Sequence, residues 1–452
     1  MQIQFHKPQG KMKIMHAVGQ PPFKSVYGGF DFTPFQTLKD AGIPYSRLHD
    51  VKFPFGSNRF VDIPNIFRDF DADENDPASY DFTFTDLLIC ELYKYGIEPI
   101  YRLGVTIENR AVIQSYHIDP PRDYAKWARI CEHIIRHYNQ GWANGFHYGI
   151  TYWEIWNEPE TCEFPFVNEM WSGTPEQYYA LYDLTAKHLK QCFGDSIKVG
   201  GYASTSFRAI YYEPDLYGMD LARQPIDRAY HVAKSRMNFF MGFMEYIRAH
   251  SSPLDFFSWH SYVDVEMTRS FARFLHKTLK EYGYGDAETH LNEWNNACEY
   301  ELLGTSAASA RAAAMMIAQQ EEETTLACYY DAGIWYTCYA GLYDLVTQKP
   351  VSTYYAFMAF NTLYRLGTQV KCDVDGEGLY AVAATDDKGE KKAVLISNVG
   401  RDQTITCADL KGFFAYTLEK DRFLEKVALD PTAFVIKENQ VILLQNFERT
   451  KE

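Results

Sequence analysis

The sequence predicts a parallel (β/α)8 barrel followed by a small antiparallel β-sandwich, and three observations lead there. Short apolar runs alternate with longer amphipathic stretches over roughly 350 residues, the rhythm of repeated strand–helix units. That rhythm stops at Gly367, after which β-like runs and polar turns follow one another with no helical pattern between them. Finally, two of the apolar runs end in a carboxylate: Trp153-Glu154-Ile155-Trp156-Asn157-Glu158-Pro159 and His290-Leu291-Asn292-Glu293-Trp294-Asn295. All barrel strands aim their C-terminal ends at one rim, so carboxylates delivered there share a pocket.

The elements run as follows. Strands are expected at Met12 to Val18, Tyr45 to His49, Pro99 to Val105, Tyr152 to Asn157, Lys198 to Ala203, Phe256 to Tyr262, Thr289 to Trp294 and Gly333 to Tyr339. Helices are expected at Phe35 to Ala41, Phe84 to Tyr95, Pro121 to Tyr138, Pro175 to Phe193, Ser235 to Ala249, Thr268 to Tyr282, Ser306 to Glu323 and Tyr354 to Leu366. The barrel therefore takes residues 12–367. The sandwich takes 368–452, with 1–11 as a candidate extra strand. Its own strands are expected at Leu379 to Ala384, Lys392 to Asn398, Gln403 to Cys407, Phe413 to Leu418, Ala433 to Ile436 and Val441 to Gln445.

Composition narrows the function. A chain of 452 residues, 46% hydrophobic, can fill one large core and a smaller one. A net charge of -15 argues against nucleic-acid and anionic-membrane partners. Nine scattered cysteines, an odd number with no CxxC pair, fit free thiols. The first ten residues hold no apolar signal core, and no run is long enough to span a bilayer, so a cytoplasmic location is expected. There is no phosphate-binding loop, nucleophile elbow or dinucleotide fingerprint, and no cofactor is expected. His133 and His137 have metal-ligand spacing on a helix, but the zincin pattern puts the Glu after the first His, and here Glu132 precedes it. No metal is expected either.

Two strand-end glutamates suggest glycoside hydrolysis, which uses a pair of carboxyl groups. Burying a carboxylate is costly, and catalysis is one reason to do it. The neighbours of the pair are chemically suited to it. The Asn157 amide can hold a sugar 2-hydroxyl. Tyr262 can donate its hydroxyl to Glu293, and Arg47 can set positive charge beside it. His49 and His260 can bind hydroxyls, and Trp335, expected on the eighth strand, can lie under a sugar ring. Glu154 shares inward parity with Glu158 one layer deeper, and is expected to brace a buried cation.

Beyond the glutamates, Tyr45-Ser46-Arg47-Leu48-His49-Asp50, Tyr80-Asp81-Phe82-Thr83-Phe84-Thr85-Asp86, Lys198-Val199-Gly200-Gly201, His260-Ser261-Tyr262 and Ser352 to Leu366 complete a pattern that resembles glycoside hydrolase family 39, within clan A. Members of that family include β-xylosidases and α-L-iduronidases. The resemblance implies a retaining double displacement, with Glu158 as acid/base and Glu293 as nucleophile. Glu158 should begin protonated and Glu293 ionised. A cytoplasmic enzyme would meet imported oligosaccharides and not polymer, so exo-action on β-linked xylose or a related sugar is expected. An arabinosidase, β-glucosidase or iduronidase-like activity is the alternative, and a carbohydrate-binding pseudoenzyme is a third reading. An iduronate carboxylate would need a cation, for which Lys52 and Arg59 are the nearby candidates. The chain departs from the family at Glu160, where many members carry Asn. It departs again at Asn292, where Thr is usual, and after Trp335, where Tyr336 to Asp344 lacks the acidic pair of β-xylosidases.

Overall fold

Eight parallel strands close into a barrel: Ile14–Gly19, Tyr45–Leu48, Glu98–Leu103, Tyr152–Ile155, Lys198–Ser204, Phe256–Ser261, Glu288–Trp294 and Leu326–Tyr329. The structure is a computed structural model that describes residues 1–22, 34–49, 51, 61–106, 118–163, 167–334 and 339–449. Seven strands lie where the sequence puts them. The eighth does not. Leu326–Tyr329 closes the barrel, with Leu326 opposite Ile14 and Tyr329 opposite Val18. Residues 333 and 334 are irregular, and Trp335 lies outside the described residues. The run Leu326-Ala327-Cys328-Tyr329 is only four residues long and follows closely on a helix. Its apolar signal merges with that helix, and the longer aromatic run downstream reads more strongly as a strand.

Alternation along each strand builds two cores. Tyr101, Leu103, Trp153, Ile155, Phe257, Trp259 and Leu291 point outward and join the large core under the helices. Ala17, Ile100, Tyr152, Phe256, Leu326 and Cys328 point inward and form a separate apolar plug in the barrel. Above that plug the inward positions turn polar: Arg47, Arg102, Glu154, His260 and Asn292, all buried. Gly200 stands beside this column because any side chain there would place its Cβ only 2.1 Å from the Phe256 carbonyl oxygen.

The covering helices are Pro34–Asp40, Thr83–Lys94, Tyr124–Gln140, Pro175–Phe193, Tyr230–His250, Val265–Glu281, Ser306–Glu321 and Ser352–Leu366. Their starts are chemically marked. Asp123, Asp264 and Thr305 accept from backbone N–H groups of the first turn, and Thr174 with Gln177 forms a reciprocal capping box. His133 and His137 do not converge on a common point. His133 Nδ1 meets the Arg129 carbonyl oxygen, whereas His137 stacks on Phe82 and bonds Asp86.

After the barrel comes an antiparallel sheet of seven strands. Its order is Gln2–Lys11, Thr368–Asp373, Leu379–Thr385, Lys392–Asn398, Gln440–Gln445, Phe414–Glu419, Arg422–Val427. A two-stranded ribbon, Gln403–Thr406 with Ala433–Ile436, makes a second layer. Val382, Leu395, Tyr416, Val441 and Leu443 face the barrel helices. Ala381, Val394, Ile396, Ile442 and Leu444 face the ribbon. Gln320 latches sheet to barrel: its amide accepts from Lys13 N at 2.8 Å and donates to Gln369 at 2.7 Å. Cys90, Cys131, Cys192, Cys328, Cys372 and Cys407 are free thiols. Among the described residues, no helix is long and apolar enough to cross a membrane.

Candidate active site

Two backbone irregularities bring the glutamates together. The fourth strand ends at Ile155 because Trp156 and Glu158 both adopt left-handed backbone, φ +75 and +45, which non-glycine residues adopt only when their surroundings hold them there. Trp156 N donates to the Leu103 carbonyl, and its indole N–H donates to Met170 O, both at 2.8 Å. Glu158 N donates to Tyr202 O on the fifth strand at 3.0 Å. The seventh strand carries a bulge: Leu291 pairs with Trp259, yet Glu293 pairs with His260, the very next residue. In a regular strand Asn292 and Glu293 would face opposite ways. The bulge lets both reach polar groups at the top of the barrel.

Arg47 is the hub. Its Nε donates to Glu154 at 2.8 Å, Nη1 to Glu293 at 3.0 Å and Nη2 to Asn157 Oδ1 at 2.6 Å. Burial opposes its charge, but Glu154 and Glu293 outweigh burial and raise its proton affinity. Asn292 donates its amide to the other oxygen of Glu154. Glu154 is thus the partner of a buried cation, as its inward parity implies. Tyr262 donates its hydroxyl to Glu293. His260 lies between the two catalytic candidates, with Nδ1 2.6 Å from Glu158 Oε1 and Nε2 3.6 Å from Glu293 Oε2. Thr161 donates to the remaining oxygen of Glu158 at 3.0 Å. One oxygen of Glu158 and one of Glu293 lie within 4.8 Å of each other.

The charges in this free site sit differently from the simplest expectation. Burial pushes Glu158 up, but His260, Arg236 and the Thr161 hydroxyl overcome it and hold the carboxyl below its ordinary range. Burial and the charge of Glu158 lift Glu293, against the pull of His260, Arg47 and Tyr262. His260 is disfavoured as a cation by burial, yet the two carboxylates raise its affinity for a proton. These directions place the proton of the Glu158–His260 bond on the imidazole, whereas the sequence reading expects it on Glu158.

Of the residues read from sequence, Arg47, Asn157, Glu158, His260, Tyr262 and Glu293 come together in one connected network. His260, expected to bind hydroxyls, instead turns its ring nitrogens to the two carboxylates. His49 is buried and accepts from Arg102 Nε at Nδ1 over 3.3 Å. Burial and the charges of Arg47, Arg102 and His260 keep it neutral, so its proton sits on Nε2. Trp335, Lys52 and Arg59 lie outside the described residues.

Other residues went unread. Arg102 pairs with Asp62, whose second oxygen accepts from Thr106 N and Oγ1 at 2.9 and 3.1 Å. Parity could have found Arg102, which lies opposite Glu154 in the neighbouring strand. Tyr339 stacks on Tyr262 at 4.9 Å, and Tyr330 meets both rings edge-on. These tyrosines make an aromatic wall beside Glu293, and only the third dimension shows it.

Known structures share this architecture. A glucosidase from Croceicoccus marinus superposes with a TM-score of 0.74 at 20% identity, covering 98% of this chain and 97% of that one. A GH39 β-xylosidase from Caulobacter crescentus gives 0.66 at 16% identity, covering 98% of each. A GH51 α-L-arabinofuranosidase from Thermotoga petrophila RKU-1 gives 0.62 at 14%, covering 98% of this chain and 99% of that one. At such identities these likenesses speak for the fold. No curated protein matches the chain. The sequence profile described as "Glycosyl hydrolases family 39" matches residues 42–329, from just before the second barrel strand to the end of the eighth. The chain belongs to glycosyl hydrolases family 39 and is a glycoside hydrolase.

Proposed function

We propose that the protein is a retaining, exo-acting glycosidase that releases β-linked xylose or a closely related sugar from oligosaccharides. The observation that carries the retaining part of this reading is the closeness of the two carboxylates, with one oxygen of each within 4.8 Å. Retaining enzymes hold their carboxyl groups about 5 to 5.5 Å apart, and inverting ones about 6.5 to 9.5 Å, to admit a water.

In the first step a Glu293 oxygen attacks the anomeric carbon. The bond to the leaving group breaks, and the leaving oxygen takes a proton from Glu158. Arg47 and Tyr262 hold the Glu293 carboxylate with one donor on each oxygen, which fixes its aim. The proton held by His260 needs to move only along the 2.6 Å bond to reach Glu158. Forming the ester removes the charge of Glu293, and the proton affinity of Glu158 falls accordingly. Glu158 then deprotonates a water, whose oxygen attacks the anomeric carbon and breaks the ester. The Asn157 oxygen is taken by Arg47, and its NH2 makes no hydrogen bond among the described residues. It can therefore donate to the sugar 2-hydroxyl, a contact that tightens as oxocarbenium character develops.

The Caulobacter crescentus relative is named a β-xylosidase, which supports xylose. The Croceicoccus marinus relative is named a glucosidase and supports a β-glucoside reading beside it. A panel of aryl xylosides, arabinosides, glucosides and galactosides separates these, with the xyloside expected to be fastest. An activated 2-fluoro xyloside should leave a covalent label on Glu293. A label on another residue, or a first product of inverted configuration by NMR, would overturn the assignment of roles.

A further inference from the structure

We propose that Glu160 works through Glu158 as a positioning residue, clamping the turn that carries Glu158 and placing a titratable like charge behind it. The proposal rests on Glu158 being the acid/base of the glycosidase reading above. Glu160 sits two residues beyond Glu158, past Pro159. Its side chain is buried and reaches across to the end of the fifth strand. There Oε1 accepts three hydrogen bonds: from Thr205 N at 2.7 Å, Ser204 Oγ at 3.0 Å and Thr205 Oγ1 at 3.1 Å.

With the Glu158 N–H bond to Tyr202, this gives the turn two anchors on one strand and its end. Glu158 needs them, because its φ of +45 is not a conformation that a free turn would keep. Removing the Glu160 clamp should therefore let the acid/base drift.

The second oxygen, Oε2, is equally buried and accepts no hydrogen bond among the described residues. A carboxylate with one bare oxygen in a dry place is poorly stabilised as an anion. Burial pushes the Glu160 carboxyl up to about 7, with the Glu158 charge adding to the rise and the Thr205 N–H and Arg236 opposing it.

The charged and titratable groups facing it come from every neighbouring element. Glu158 lies on its own turn, Arg236 on helix Tyr230–His250, Tyr178 and Tyr179 on helix Pro175–Phe193, and Tyr202 on the fifth strand. The three tyrosines are shifted upward, chiefly by burial, and stay neutral near pH 7. Arg236 bears on Glu158 and Glu160 alike, and its buried Nε makes no hydrogen bond among the described residues. Glu160 is thus neutral in acid and gains its charge near neutrality. That charge makes the proton shared by Glu158 and His260 harder to remove, so the acid stays loaded at higher pH.

The test compares Glu160→Gln, which keeps the Oε1 acceptor and the volume but deletes the charge, with Glu160→Ala, which deletes the clamp as well. Titration of 13C-carboxyl glutamate and 15N-imidazole signals by NMR reads the full-length protein directly. In Glu160→Gln the shared Glu158–His260 proton should leave about half to one pH unit lower, and a carboxyl titration near 7 should vanish. Glu160→Ala should lose about tenfold more kcat than Glu160→Gln on glycosides with poor leaving groups, and no more than it on activated ones. Coincident titration curves for wild type and Glu160→Gln would overturn the electrostatic role, and equal kcat for the two variants on glycosides with poor leaving groups would overturn the clamp. If wild type cleaves no glycoside in the panel, the glycosidase reading falls, while the NMR titration still decides whether Glu160 governs the pair.

Discussion

The barrel interior and the seven-stranded sheet start from the same device and use it in opposite ways. In the sheet, alternation runs unbroken through Lys392–Asn398 and Gln440–Gln445, and the middle of each strand, 393–396 and 441–444, is buried hydrocarbon on both faces. In the barrel the lower inward layer is also apolar, but the upper one holds Arg47, Arg102, Glu154 and Asn292 in a buried polar network. Alternation fails there as well, at the Leu291–Glu293 bulge and at the left-handed Trp156 and Glu158. Regular strand supplies stability. The irregular strand ends give up some of it to gather charges where chemistry needs them.

The largest effect that sharpens this contrast is catalytic. Glu158→Ala should slow glycosides with poor leaving groups by about 10²- to 10⁴-fold, spare the first step with activated aryl groups, and recover with added azide. Thermal unfolding of the same variant should change little, because Glu158 keeps 18% of its side chain exposed and is not a core filler.

Stability separates the two regions next. Arg47→Met should cost about 3 to 5 kcal/mol, since it leaves Glu154 and Glu293 as uncompensated buried charge, and should abolish turnover too. Leu443→Ala, in the sheet, should cost about 2 to 5 kcal/mol by opening a cavity, yet leave kcat intact. Denaturant unfolding with parallel kinetics checks both. Equal loss of kcat in the two folded variants would erase the distinction.

The smallest effect is in the pH profile. With Glu293 as the proposed nucleophile, turnover needs it ionised, and its proton affinity is raised, so activity should rise with pH only above the ordinary carboxylate range. It also needs the proton shared by Glu158 and His260. The affinity of His260 is raised as well, so activity should fall on the alkaline side above the ordinary imidazole range. A bell of kcat/KM against pH checks both limbs. An acid limb at or below an ordinary glutamate value would contradict the role of Glu293.

Much of this is legible in the sequence. The periods of the apolar runs place seven of the eight barrel strands, and strand-end polarity points to Glu158 and Glu293. The eighth strand escapes because its four residues, Leu326–Tyr329, carry too short a signal beside the aromatic run at 333–339. Tyr262 on Glu293 and Arg47 beside it follow from donor and acceptor chemistry at known strand ends. The His260 bridge does not. It depends on a one-residue slip at Asn292, which no alternation pattern reveals. The same slip gives Asn292 its place on Glu154. The tyrosine wall comes from loops distant in sequence, and loop geometry leaves little trace in residue order.

Among the described residues, the strand Gln2–Lys11 pairs only with Thr368–Asp373. On the ribosome, the strand therefore waits while the whole barrel is made before its partner exists. Until then it presents an unsatisfied β-edge, which explains the value of the charged and kinked run His6-Lys7-Pro8, with pairing interrupted between Gln4 and Pro8. Docking of that strand on Thr368–Asp373 fastens the barrel between two paired strands of one sheet.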